Sequence, residues 1–222
     1  MADDTRKQET ASGGDWRPRV LLWFDTEFSL LDLDRARLLQ VAAIATDMRL
    51  RRILPREEDV RVAIRLEPAE PLSDWAQSNL ADLLEQCRST AAVPVDEADI
   101  RLADYAARAR RVAGLPAEET AVLAGNSVHA DWWLARRWLP LLMPHLHYRH
   151  LDVSSLKLEW LAGGGAPFDK DRPDLLRTWF PQGTWDADHA PHDALYDVQA
   201  SIAELAFYRA HPIRIESRTP GR

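Results

Sequence analysis

Residues 19–27 read RVLLWFDTE, an apolar run that ends in two acids one residue apart. Val20, Leu21, Leu22, Trp23 and Phe24 are β-branched, aromatic and aliphatic, the near-continuous pattern of a strand covered on both faces. Side chains alternate along a strand, so Asp25 and Glu27 project the same way, roughly 6.5 Å apart. At that separation, with an effective dielectric of about 20, two negative charges repel by roughly 2.5 kcal/mol. A divalent cation between them relieves that repulsion, because hard ions such as Mg²⁺ and Mn²⁺ take oxygen ligands. A solvated strand end is the simpler alternative.

Around this strand the pattern alternates in kind. Leu38–Thr46 is a short apolar run that suits a second strand, and Val60–Leu66 alternates apolar with polar residues as a half-exposed third. Helical texture follows over Asp74–Arg88 and over Asp96–Ala113, the latter with Asp96 as its cap and Gly114-Leu115-Pro116 as its stop. Ala121–Ala124 reads as a buried strand followed by the Gly125-Asn126-Ser127 turn, and His129–Leu139 as a helix. Leu151–Val153 is a brief strand, with Ser154 or Ser155 capping a helix through Leu161. Residues 163–183 read as loop, and Pro191–His211 as the last helix. The order βββαα-βα-βα-α predicts a single α/β domain with a mixed sheet and helices packed on it.

Composition narrows the function. Hydrophobic content of 46% against 28% charged residues over 222 residues belongs to one globular domain. A single cysteine, Cys87, excludes an internal disulfide and suits a reducing compartment. The start, MADDTRKQETASGGDW, carries acids and no apolar stretch, unlike a secretory signal, and the expected location is the cytoplasm. Residues 1–17 are expected to be a disordered tail, and 212–222 a polar one. The formal net charge of −7 argues against a long nucleic-acid track, which needs many Lys and Arg contacts to phosphate. A substrate with one or two phosphates escapes that argument, as does a site whose acids are balanced by metal ions.

Two more acids and a histidine fall where such a site needs them. Asp131 is in the first turn of a helix after a buried strand and a tight turn, facing the carboxyl ends of the strands, although an acid there also suits the helix dipole. Asp197 lies off the apolar stripe Leu195, Val198, Ile202, Leu205, beside Ser201 and Glu204, which on its own reads as a solvated face. His192 precedes Asp197 by five positions and converges with it only from the loop at the helix entrance, a boundary that Pro191 favours.

Taken together, WFDTE, GNSVHAD, HYRHLDVSSLK and HDALYDVQASIAELAFYR resemble the oligoribonucleases, of the DEDDh group of 3′-to-5′ exonucleases. The resemblance covers roughly residues 20–211 and implies an RNase H-like mixed five-stranded sheet in a catalytic domain over 18–211. It implies that Asp25, Glu27, Asp131 and Asp197 bind two Mg²⁺ or Mn²⁺ ions, and that His192 is the general base. The chemistry agrees: two ions clamp both oxygens of an in-line phosphoryl displacement, and an imidazole takes a proton from water. It further implies that Ser127, Arg149, Ser154 and Lys157 gather around a 5′ phosphate, which limits the substrate to short single-stranded RNA. Leu31 matches the apolar wedge between bases, and Tyr148 the tyrosine that a homodimer partner supplies.

The sequence departs from that pattern in two places. The family reads E-M-T-G-L-D after the second acid, whereas Glu27 is followed here by Phe28-Ser29-Leu30-Leu31-Asp32. The segment Ala76–Leu84 after Trp75 lacks the family's histidine. Both leave hydrolysis intact and bear on substrate length, the altered loop favouring a broader exonuclease on longer single strands; a metal-dependent nucleotide-binding module without turnover is a separate alternative, against which the five catalytic-type residues argue. Of the nine tryptophans, Trp23, Trp132, Trp133 and Trp138 are expected in the core or at a dimer interface, and Trp185 alone is a candidate for base stacking.

Overall fold

A computed structural model describes residues 16–184 and 192–211; residues 1–15 and 212–222 of the two expected tails, and Trp185, lie outside the described residues. Five strands, β1 (Val20–Phe28), β2 (Leu38–Asp47), β3 (Val60–Ala63), β4 (Ala121–Gly125) and β5 (Leu146–Asp152), form one sheet in the order β3-β2-β1-β4-β5. β2 runs antiparallel to β1 and β3, while β4 is parallel to β1 and β5. Flanking it among the described residues are α1 (Asp74–Asn79), α2 (Ala81–Arg88), α3 (Val95–Val112), α4 (Val128–Trp138), α5 (Val153–Ala162), α6 (Pro173–Trp179) and α7 (Ala194–Ala210). This is the expected RNase H-like mixed sheet between helices. None of the described helices is long and apolar enough to cross a membrane.

The parity of β1 sets the site. Leu22 and Phe24 pack with Leu102 and Ala106 of α3 and Leu134 of α4, whereas Leu21 and Trp23 pack with Val198, Ile202 and Leu205 of α7. Each such side chain stabilises the fold by roughly 1.5–3 kcal/mol. Asp25 and Glu27 continue the parity of Trp23, toward α7. Thr26 continues that of Phe24, toward α4. Glu27 pairs with Gln40 of β2, and a register irregularity between Glu27 and Phe28 ends the regular ladder there.

Several local readings change. The helix read over Asp74–Arg88 breaks at Leu80, while Ala76, Leu80, Leu83, Leu84 and Cys87 still share one apolar cluster, so the spacing carries no sign of the break. Pro94, not Asp96, sits at the cap of α3, and Asp152, not Ser154 or Ser155, caps α5 by accepting from the Ser154 amide. β3 stops at Ala63, though Ile64 and Leu66 stay buried as the alternation required. β5 begins at Leu146 rather than Leu151; as an edge strand with polar, exposed residues it lacks the apolar signal of an inner one. α6 lies inside the stretch read as loop, seven residues with Pro173 in its first turn. The polar side of α7 is not solvated: Ser201 and Glu204 are buried at 2% and 0% exposure. Trp23 and, in part, Trp132 and Trp138 pack in the core, while Trp133 is half-exposed.

Gly125 ends β4 where its backbone meets β1, and a Cβ there would lie 2.8 Å from the Phe24 carbonyl oxygen. Gly125→Ala is expected to destabilise by about 1–3 kcal/mol, seen as a melting temperature several degrees lower. An unchanged melting temperature would show that β1 and β4 are not in that close contact.

Candidate active site

Asp25 and Glu27 leave the end of β1 toward α7, and α7 returns Asp197 from its first turn. Asp131 comes from the first turn of α4, where Thr26 Oγ1 donates to its Oδ1 at 2.7 Å. The intervening threonine of D-T-E is thus the strut that seats the third acid. Asp25, Glu27, Asp131 and Asp197 thereby meet at the carboxyl end of the sheet from three elements.

Their charges act on one another. Burial, then Asp131, Asp197 and Glu27, push the Asp25 carboxyl well above its ordinary range, with Lys170 opposing. Burial and Asp197 lead in pushing Glu27 up to about 8. Burial pushes Asp131 up to about 7 against the Thr26 hydrogen bond, and burial likewise raises Asp197 against Lys170 and the His192 amide. Carboxylates that each disfavour the other's ionisation could together serve as oxygen donors to a hard divalent cation. Glu27, His192 and Asp197 already offer ligand atoms that all lie within 4.8 Å of one another.

His192 is held by what surrounds it. Its backbone is left-handed, with φ +69°, and its amide donates to Asp197 Oδ2 at 3.1 Å. Asp193, the next residue, caps α7 and is bound by Arg61 of β3, Nε to Oδ2 at 2.8 Å. Gln40 accepts from the Ala194 amide at 2.7 Å, so the strand pair that carries Glu27's partner also fixes the entrance of α7. The imidazole meets the Trp75 ring edge to face, centroids 5.1 Å apart.

Trp75 and Leu31, both exposed, line with Glu27, Phe28, Leu30 and Ser73 a pocket of about 360 Å³ beside these acids. The loop after Glu27 is tied down despite its missing glycine: buried Ser29 accepts from the Ser73 amide at 3.0 Å and binds Arg37 through both backbone and hydroxyl. No residue of that loop has a positive φ.

Ser127 and Ser154 come together at the ends of β4 and β5. The Ser127 amide donates to Ser154 Oγ at 2.9 Å and Asp152 Oδ1 at 3.0 Å, and Ser127 itself is left-handed at φ +52°. Lys157 lies one turn further along α5, its Nζ 3.9 Å from Glu204 Oε1. Tyr148 and Arg149 are exposed on β5, in a stack with Trp16 and His147, and Arg149 sits 4.8 Å over the rings of Trp16 and Tyr148. Among the described residues their ring and cation contacts are within that stack.

Thr26, Gln40, Arg61 and Asp193 escape a reading of the sequence, because each acts through a partner far away in the chain. Trp75 carried a usable signal, as an exposed aromatic next to a helix cap. The spacing Asp197, Ser201, Glu204, Tyr208 was another, since a polar stripe in register with a catalytic-type acid can equally be buried.

A family model described as Exonuclease (RNase_T) matches residues 22–205. The chain is 32% identical over 195 residues to a probable oligoribonuclease of Schizosaccharomyces pombe, covering 86% of this chain and 68% of that protein. It is 30% identical over 205 residues to the oligoribonuclease of Actinobacillus pleuropneumoniae, covering 88% and 95%. Among solved structures it resembles exonuclease I of Methylocaldum szegediense, with TM-score 0.58 and 20% identity over 87% of this chain, which spans only 41% of that longer one. It also resembles S. pombe Pop2p in its Mg²⁺- and Mn²⁺-bound form, with TM-score 0.54 and 12% identity over 86% of this chain and 83% of that one.

Proposed function

Since the chain belongs to the exonuclease family that includes the oligoribonucleases, and is a 3′-to-5′ exoribonuclease, we propose that its substrates are oligoribonucleotides of two to a few residues. Hydrolysis from the 3′ end releases nucleoside 5′-monophosphates, and the catalytic domain spans residues 18–211. The observation that carries this reading is the meeting of Asp25, Glu27, Asp131 and Asp197 from β1, α4 and α7 beside His192.

The four carboxylates would hold two Mg²⁺ or Mn²⁺ ions, which when bound polarise the scissile phosphate and offset the charge that builds on it. The chain's own work is positional. His192 is the general base: it takes the proton of the attacking water, and its backbone bond to Asp197 keeps the imidazole beside the acids. Thr26 keeps Asp131 in place. Leu31 and Trp75 face the bases across the pocket, where stacking on an aromatic ring is worth about 1–3 kcal/mol per base.

Ser127, Ser154 and Lys157 take the phosphate at the substrate's other end and close the groove. A second copy of the chain supplies Tyr148, and Arg149 with it, from the exposed edge strand β5. That assignment accounts for an aromatic and arginine stack standing on the surface of one protomer.

A length series tests the reading. With Mn²⁺ present, a dinucleotide should be converted to monophosphate with a kcat/KM at least roughly tenfold above that on a long single strand, the discrimination that about 1.4 kcal/mol at one phosphate subsite supplies. Equal rates would favour the broader exonuclease, which the altered loop after Glu27 and the missing histidine after Trp75 keep in play. No monophosphate from any length would leave a binding module.

A further inference from the structure

α7 carries a polar stripe, half-buried Asp197 and then buried Ser201, Glu204 and Tyr208, that runs from the acid cluster toward Ser127 and Ser154. Its centre is Glu204, wholly buried. Tyr208 Oη donates to Glu204 Oε1 at 2.8 Å and Asn126 Nδ2 to its Oε2 at 3.0 Å, so the carboxylate's hydrogen bonding is met by neutral donors. Asn126 then accepts, through Oδ1, from Ser154 Oγ at 3.0 Å, and the Ser154 and Ser127 hydroxyls are 3.3 Å apart. One buried side chain thus fixes, through Asn126, the hydroxyl pair assigned above to a phosphate.

Two lysines flank the same side chain. Lys157 Nζ lies 3.9 Å from Oε1 and Lys170 Nζ 3.8 Å from Oε2, with side chains 36% and 26% exposed. Those separations are ion pairs too long for hydrogen bonds, so among the described residues Glu204 leaves the ammonium protons to another acceptor. The two ammonium groups thus approach opposite oxygens of the one Glu204 carboxyl. Lys170 is also anchored: its carbonyl accepts from Tyr196 Oη at 2.6 Å, which pins it to the helix that bears Asp197. Its charge reaches both Asp25 and Asp197, and its ammonium approaches the same Glu204 oxygen that Asn126, the partner of Ser154, is bound to.

We propose that Lys170 is a substrate-binding residue that takes up the 5′-terminal phosphate of the oligonucleotide with Lys157, Ser127 and Ser154, while Glu204 holds the two lysines at fixed positions around it. This rests on the short-oligonucleotide reading and adds to it a cation supplied from the loop before α6.

The test compares pApA with ApA. Steady-state kinetics would be run on the wild type, Lys170→Met and Lys170→Arg, and equilibrium binding would be measured in an Asp25→Asn background without turnover. Loss of one charge-assisted phosphate contact should raise KM and Kd of Lys170→Met for pApA roughly ten- to a hundredfold. KM and Kd for ApA should shift by less than about twofold, loss of the charge beside Asp25 and Asp197 should act on kcat for both dinucleotides alike, and Lys170→Arg should recover most of the pApA affinity. Equal losses of affinity on both dinucleotides, or a fall in kcat with unchanged KM, would place Lys170 with the acid cluster and overturn the proposal. If the wild type prefers pApA and Lys170→Met prefers it equally, Lys170 alone is refuted. A wild type that ignores the 5′ phosphate removes the phosphate pocket, and Lys170 with it.

Discussion

Asp25→Asn is expected to lower kcat on a dinucleotide by roughly a thousandfold or more, while making the cation-free protein more stable above neutral pH. The loss follows from removing one of four oxygen donors, several kcal/mol of transition-state stabilisation at about 1.4 kcal/mol per tenfold in rate. The gain follows from the same charge. Burial first, then Asp131, Asp197 and Glu27, raise Asp25 well above 3.8, the same crowding that brings Glu27 up to about 8 and Asp131 up to about 7.

A carboxyl whose folded value is raised is protonated in both states below about pH 4, where it costs nothing. As pH rises the unfolded chain ionises first, so stability falls progressively until the folded group titrates as well. For Glu27 that window runs from 4.5 to about 8. The full cost of one such group is at most about 5 kcal/mol, and nearer 2 to 3 after screening by water at the open end of the site. Thermal melting without divalent cation should therefore fall between pH 4 and 8 in the wild type, and less steeply in Asp25→Asn. Mn²⁺ should raise the wild-type melting temperature most at pH 8. A flat profile, or an Asp25→Asn protein that is less stable at pH 8, would mean that the four acids do not share one desolvated pocket.

What could be read from residues and what could not divides along a physical line. Strand parity and apolar periodicity are local, so β1, β2, β4, α3 and the shared side of Asp25 and Glu27 follow from the chain itself. Of β5 only the end at Leu151 and Asp152 did, because the rest of this edge strand is polar on the surface it shows to water. Nor did the surroundings of α7. The wheel that set Ser201 and Glu204 apart from the apolar stripe was correct, but whether that side meets water depends on Asn126, Lys157 and Lys170, which no window around α7 contains. The same limit hid the strut from Thr26 to Asp131, 105 positions apart. A sequence shows which side chains share a face; which elements cover that face is settled by the whole chain.

His192→Asn is expected to reduce kcat about 10²- to 10⁴-fold, the range for loss of a positioned general base, with KM and the Mn²⁺-induced rise in melting temperature nearly unchanged. The choice of asparagine matters. His192 has φ +69°, a region asparagine tolerates but alanine adopts only with strain, so Asn leaves the loop and its amide bond to Asp197 intact. Asp193 stays locked by Arg61 and continues to cap α7, so the four acids keep their positions. Only the imidazole and its contact with Trp75 are removed. Added imidazole should then restore part of kcat without altering KM, because a small base can enter the space the ring has left. The alternative is that His192 acts as a ligand, which its place within 4.8 Å of Glu27 and Asp197 also allows. In that case the substitution would weaken Mn²⁺ binding, the loss of activity would be recovered by more Mn²⁺ rather than by imidazole, and the role of base would have to pass from His192 to another group.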